Sequence, residues 1–138
     1  MAFEYLLPFT SLPLRIMLGI VFLYHGYPKM LTKKGFQGHV ATVKQIGFWP
    51  ASFWAFFSAF AEFFGGLLLL LGLFTRIGAA LIVINMIVAF YAKKFVWGSK
   101  FNIINGGYEY DLVAAALTLV LLGGGVYSLD ALFSLPFV

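Results

Sequence analysis

The stretch FWAFFSAFAEFFGGLLLLLGLF, residues 53–74, decides the fold. A helix must place about 20 apolar residues across ~30 Å of hydrocarbon to span a membrane. This run is long enough, and its single charged residue, Glu62, lies near the middle. A charged side chain at that depth costs at least about 2.5–3.5 kcal/mol on insertion scales, so it normally faces other protein or a wet cavity. The run therefore predicts a membrane span with one polar face. The polar groups sharing the depth of Glu62 become the first candidates for a site.

Composition extends the membrane reading to the whole chain. Of 138 residues, 62% are hydrophobic and 10% are charged. Soluble domains average about 45–50% apolar and about 25% charged. The length leaves little room for a second domain. The net charge of +4 does not point to nucleic acid, because the basic residues sit at the ends of apolar runs, where they meet anionic lipid. There is no cysteine, which excludes disulfides, thiol redox chemistry and iron–sulfur clusters held by this chain. The start, MAFEYLLPFTSLPLR, lacks a basic region and a cleavage site of signal-peptide type, so its apolar run is read as a retained span.

The expected fold is all-α, a four-helix transmembrane bundle with spans at about 12–31, 53–75, 77–95 and 109–126. Pro13 suits a first helical turn, and the fourth span ends at Gly123-Gly124-Gly125. The short link from Leu73 to Ile77 makes the second and third spans antiparallel neighbours. Between the first two spans, Phe36, Val40, Val43 and Ile46 recur at helical spacing. A short interfacial helix and an irregular loop both fit that segment. Trp49, Trp54 and Trp97 fall near span ends, as in an aromatic belt. Lys29, Lys33, Lys34, Lys44, Lys93, Lys94 and Lys100 gather on one side, against Arg15 and Arg76 on the other. The positive-inside rule then predicts a multi-pass membrane protein with the lysine-rich loops cytoplasmic and both termini outside.

Counting ~1.5 Å of rise per residue from the outer ends places His25 level with Glu62, and Lys29 one turn deeper. Tyr91, Glu109 and Asp111 lie somewhat deeper still. Arg15, Gly19, Phe22, Gly26 and Lys29 share one face of the first span; Ser58, Glu62, Gly65, Gly66 and Leu69 share one face of the second. Gly78, Ile82, Asn85, Ala89 and Ala92 do so on the third. Small residues on such faces let backbones approach closely. Gly19, Gly26, Gly65, Gly66, Gly72 and Asn85 are thus expected in helix packing. Glu62, His25, Lys29, Glu109, Asp111 and Tyr91 form the candidate ligand or proton site.

Each has a plainer reading. Glu62 suits a register-fixing ion pair as well as a ligand-binding or proton-accepting group. His25 suits an interior hydrogen bond, and Lys29 suits snorkelling to the interface. Glu109 and Asp111 suit a first helical turn, where the dipole favours acids. Arg15 and Arg76 suit headgroup contact or helix capping. No metal-ligand spacing is present, and the only histidines, His25 and His39, do not face each other as bis-histidine haem requires.

The segments RIMLGIVFLYHGYPKM (Arg15–Met30), AEFFGGLLLLLGLFTR (Ala61–Arg76), GGYEYDL (Gly106–Leu112) and YSLD (Tyr127–Asp130), in this order, resemble the DoxX family of small bacterial membrane proteins. The resemblance runs over about residues 12–130. It implies a four-helix membrane bundle with Arg15, Gly19, Gly26, Lys29, Glu62, Gly65, Gly72, Arg76 and Glu109 at characteristic positions. Some members are subunits of a thiosulfate:quinone oxidoreductase, and others are linked to redox or oxidative-stress complexes. The resemblance thus implies a membrane subunit of a redox complex, with quinone as cofactor and a soluble or membrane redox protein as partner. The other readings are a transporter of a small or lipidic molecule, with Glu62 as coupling group, and an assembly partner without chemistry. An enzyme acting alone is least favoured; association with further copies is compatible with all three.

Overall fold

A computed structural model describes residues 9–98 and 108–135; for 108–111 the description covers the backbone alone. The described residues are all helix and connections, with no strand. Six helices follow in order: α1 Ser11–Leu31, α2 Lys33–Gln45, α3 Ala51–Leu71, α4 Thr75–Tyr91, α5 Tyr108–Leu122 and α6 Leu129–Leu132. A π-helical turn, Ala92–Val96, continues α4. Two helices are long and apolar enough to cross a membrane: Ala51–Leu71, and Thr75–Val96 with its π turn. The predicted fourth span is shorter than expected. α5 stops at Leu122 because Gly123 takes a left-handed φ of 75°, which turns the chain out of the helix.

The segment with two readings forms α2. Thr32 caps it, accepting from the Gly35 amide at 3.0 Å while its hydroxyl donates to the Pro28 carbonyl at 2.8 Å. One residue therefore ends α1 and starts α2. α2 then folds against both α1 and α3, and buries Val43 from the predicted apolar stripe.

α1 lies antiparallel on α3, backbone against backbone. A Cβ added at Gly19 would meet the Leu70 amide nitrogen at 2.9 Å, and one at Gly66 would meet the Leu23 nitrogen at 2.8 Å. One added at Gly26 would stand 2.6 Å from the Phe63 nitrogen. Only glycine allows this approach. α3 continues onto α4 through Gly65, whose Cβ would reach Ile82, and Gly78, which faces Leu68. α5 packs on α4. The middle of the assembly is a layer of Leu18, Phe22, Leu69, Ile82 and Leu119, all buried.

The end of the chain closes on the α3–α4 turn. Gly72 ends α3 at a φ of 65°, which a side-chain-bearing residue rarely adopts. Its carbonyl accepts from the Asp130 amide at 2.8 Å. The Asp130 carboxylate, 2% exposed, accepts from the amides of Phe74 and Thr75, at 2.9 Å for Thr75, and so satisfies the first donors of α4. Arg15 points into the protein. It is 3% exposed and donates to the carbonyls of Gly124 at 2.9 Å and Tyr127 at 2.8 Å. The glycine-rich turn after α5 presents carbonyls outside any helix, and Arg15 satisfies two of them. Arg76 stays exposed and donates to the Leu121 carbonyl at 3.2 Å, a capping contact. Asp130→Ala should cost about 1–2 kcal/mol, the range for loss of a helix-capping oxygen. Denaturation of the solubilised protein measures it; a loss below 0.5 kcal/mol by the same scale would show that the cap is dispensable.

Candidate functional site

The site begins with the close approach at Gly26. Because α1 sits directly on the Glu62–Phe63 backbone there, Lys29, three residues on and on the same face, reaches the carboxylate. Its ammonium donates to both oxygens of Glu62, at 2.8 Å to Oε1 and 2.6 Å to Oε2. From α4, Asn85 Nδ2 donates to Oε1 at 2.9 Å. Three helices meet on one carboxylate. Glu62 is 3% exposed, while the side chain of Lys29 is 27% exposed. The pair belongs with buried ion pairs, where removing one partner strands the other, and not with surface pairs worth about 0–1 kcal/mol.

This cluster closes one side of a cavity of about 570 Å³ between α2, α3 and α4. That volume falls in the usual range for small-molecule sites, about 300–1,000 Å³. The lining is mostly apolar and aromatic: Val43 and Ile46 of α2, Phe48, Trp54 and Phe57 near and on α3, Leu81, Ile84 and Val88 of α4, and Trp97 beyond the π turn. The polar lining is Lys29, Glu62, Asn85, Ser58, Thr42, Lys93 and His39. An apolar pocket with a few converging polar groups suits an amphiphile whose head reaches the polar side.

His39 is the residue the depth count passes over. It lies on α2, lines the cavity, and its Nε2 is buried with no hydrogen-bond partner among the described residues. Burial, then the Lys29 ammonium, hold its pKa below the ordinary histidine value, partly offset by the Glu62 carboxylate. The neutral ring is favoured. A sequence signal for it exists: His39, Val43 and Ile46 follow the 4-3 spacing of one helical face.

His25 stands elsewhere. The depth count puts it at the right level, since its neighbour Gly26 packs on Glu62 and Phe63. One residue of helix rotates the side chain by about 100°, and His25 is exposed, edge-on to the Tyr24 ring. Tyr91 is also exposed, against Phe95. The side chains of Glu109 and Asp111 lie outside the described residues; their backbone forms the first turn of α5. Gly19, Gly26, Gly65 and Gly66 lie in helix contacts, Gly72 in the α3 cap, and Asn85 hydrogen-bonds Glu62.

Comparison with known proteins shows the family. The family model described as DoxX matches residues 10–94, which include Lys29, His39, Glu62 and Asn85 and end before α5. A protein of Bacillus subtilis (strain 168) named "Putative oxidoreductase CatD" is 33% identical over 129 residues, covering 93% of this chain and 86% of that protein. No solved structure gives a significant match. The family model spans more than half of the chain, from the first turn of α1 to the π turn, and the chain belongs to the DoxX family.

Proposed function

We propose that the chain is a four-span membrane protein, with α1, α3, α4 and α5 as spans, and that it serves a quinone-linked redox complex as a membrane subunit. The observation that carries this reading is the apolar, aromatic cavity ending on the Glu62–Lys29–Asn85 cluster. A bound quinone would supply electron-carrying chemistry; the residues of this chain bind it, exclude water and hold protons near its head. Its flat head and apolar tail match aromatic walls and an apolar lining. The orphaned Nε2 of His39 is the kind of donor or acceptor that a headgroup oxygen would satisfy.

The membrane placement is supported by the surface. Ile16, Met17 and Ile20 of α1, Phe53, Phe56 and Phe60 of α3, Ile77, Ile84 and Ile87 of α4, and Leu117 and Leu121 of α5 are all exposed. Contiguous apolar surface on that scale needs a partner or lipid to cover it. The proposed orientation keeps the lysine-rich loops in the cytoplasm and both termini outside. The quinone role is consistent with a relative that carries the word oxidoreductase in its name.

The test pairs binding with turnover. Purified protein should quench its tryptophan fluorescence on titration with a short-chain quinone, because Trp54 and Trp97 line the cavity. Membranes carrying Glu62→Gln should lose quinone-linked turnover by at least about tenfold while the protein stays folded. Absence of quinone binding by the wild type would overturn the reading.

A second reading rests on one specific observation: the Glu62 carboxylate is already partnered by Lys29 and Asn85 from two other helices. On that reading the cluster fixes helix register and the chain assists assembly only. It predicts that Glu62→Gln lowers complex yield while each assembled complex keeps full activity.

A further inference from the structure

We propose that His39 is the residue that hydrogen-bonds the head of the ligand in the cavity that Glu62 and Lys29 also line. The inference rests on the reading of the cavity as a quinone site and adds to it the residue that recognises a headgroup oxygen. Nε2 of His39 is buried and has no partner among the described residues, and the ring borders a mostly apolar cavity. A buried nitrogen left without a partner costs stability, so its position calls for a group that supplies the missing bond.

Glu62, Lys29 and Asn85 already bond one another. Lys29 spends its ammonium on both oxygens of Glu62, and Asn85 donates to Oε1. The Glu62 carboxylate thus accepts three bonds within the cluster, while Nε2 of His39 makes none among the described residues. His39 differs: it comes from α2, which packs on α1 and α3 from the side. A ligand with a planar head can lie among the aromatic walls and place an oxygen at Nε2. The site thereby distinguishes oxygen-bearing heads from plain aromatic hydrocarbons of the same shape.

The measurement uses the full-length protein in detergent and follows quenching of its tryptophans by two probes. One is 2-methyl-1,4-naphthoquinone; the other is 2-methylnaphthalene, which keeps the fused ring and lacks the oxygens. The expected result is that His39→Leu weakens the quinone about tenfold, the size of one lost hydrogen bond, and leaves the hydrocarbon within about twofold. His39→Gln, which keeps an amide donor and acceptor, should hold the quinone within about threefold of wild type. Equal quinone binding by wild type and His39→Leu would overturn the role of His39 and leave the cavity reading intact. Failure of the wild type to bind the quinone would overturn both. If His39→Leu loses the hydrocarbon as well, the cavity has collapsed, and His39→Gln decides: quinone binding retained supports the role, and quinone binding lost overturns it.

Discussion

Lys29→Met is expected to lower stability by about 3–5 kcal/mol, the range for removing one partner of a buried ion pair. The physical cause is the stranded charge. Glu62 is 3% exposed, and without Lys29 its carboxylate keeps, among the described residues, the Asn85 amide. Methionine fills much of the volume of the lysine stem, so lost packing contributes little. The double variant Lys29→Met/Glu62→Gln removes both charges and should recover to within about 1 kcal/mol of wild type, since neutral replacement of a buried pair is often tolerated. Unfolding of the solubilised protein in a denaturing detergent gives all three values, and the coupling between the two positions follows from the cycle. A single-variant loss below 1 kcal/mol would place the pair among solvent-screened surface contacts instead.

Gly26→Val should be comparably damaging, at about 3 kcal/mol, the upper part of the range for overpacking. The added Cβ would stand 2.6 Å from the Phe63 nitrogen and 2.7 Å from its Cα. These are helix backbone atoms and cannot turn aside as a flexible side chain would, so α1 must move off α3. That movement also pulls Lys29 from Glu62, and the two effects are not independent. Gly38 is the matched control. It lies in the interior of α2, is exposed, and a Cβ there would meet nothing within 4 Å. Gly38→Ala should therefore stabilise by about 0.5–1 kcal/mol through helix propensity. Equal effects at the two glycines would show that backbone approach is not what Gly26 provides.

Much of the site was legible because helices impose period and rise. The 4-3-4-3 spacing from Arg15 to Lys29 and the glycine face around Glu62 define which surfaces meet. Depth counting brings Lys29 near Glu62. Rotation is where the count is weakest: it cannot separate His25 from Gly26, which share a level but point about 100° apart. His39 was hidden for another reason. It belongs to a segment whose helical and irregular readings were balanced, and only the contacts of α2 with α1 and α3 turn its ring toward the cavity. From sequence, Arg15 suits headgroup contact or helix capping, and Asp130 stands only as the end of the YSLD segment. Their burial follows from the glycine-rich turn at 123–125, whose path back over the α3–α4 corner no local pattern reveals.

The closure of the chain end over that corner has a consequence for ligand traffic. Asp130, Arg15 and the turn after α5 shut one end of the molecule, and the layer of Phe22, Leu69, Ile82 and Leu119 lies between them and Glu62. Among the described residues, the lining of the cavity runs from residue 29 to residue 97, at the other end. In the proposed orientation that end faces the cytoplasmic leaflet, and a ligand is expected to exchange with that side.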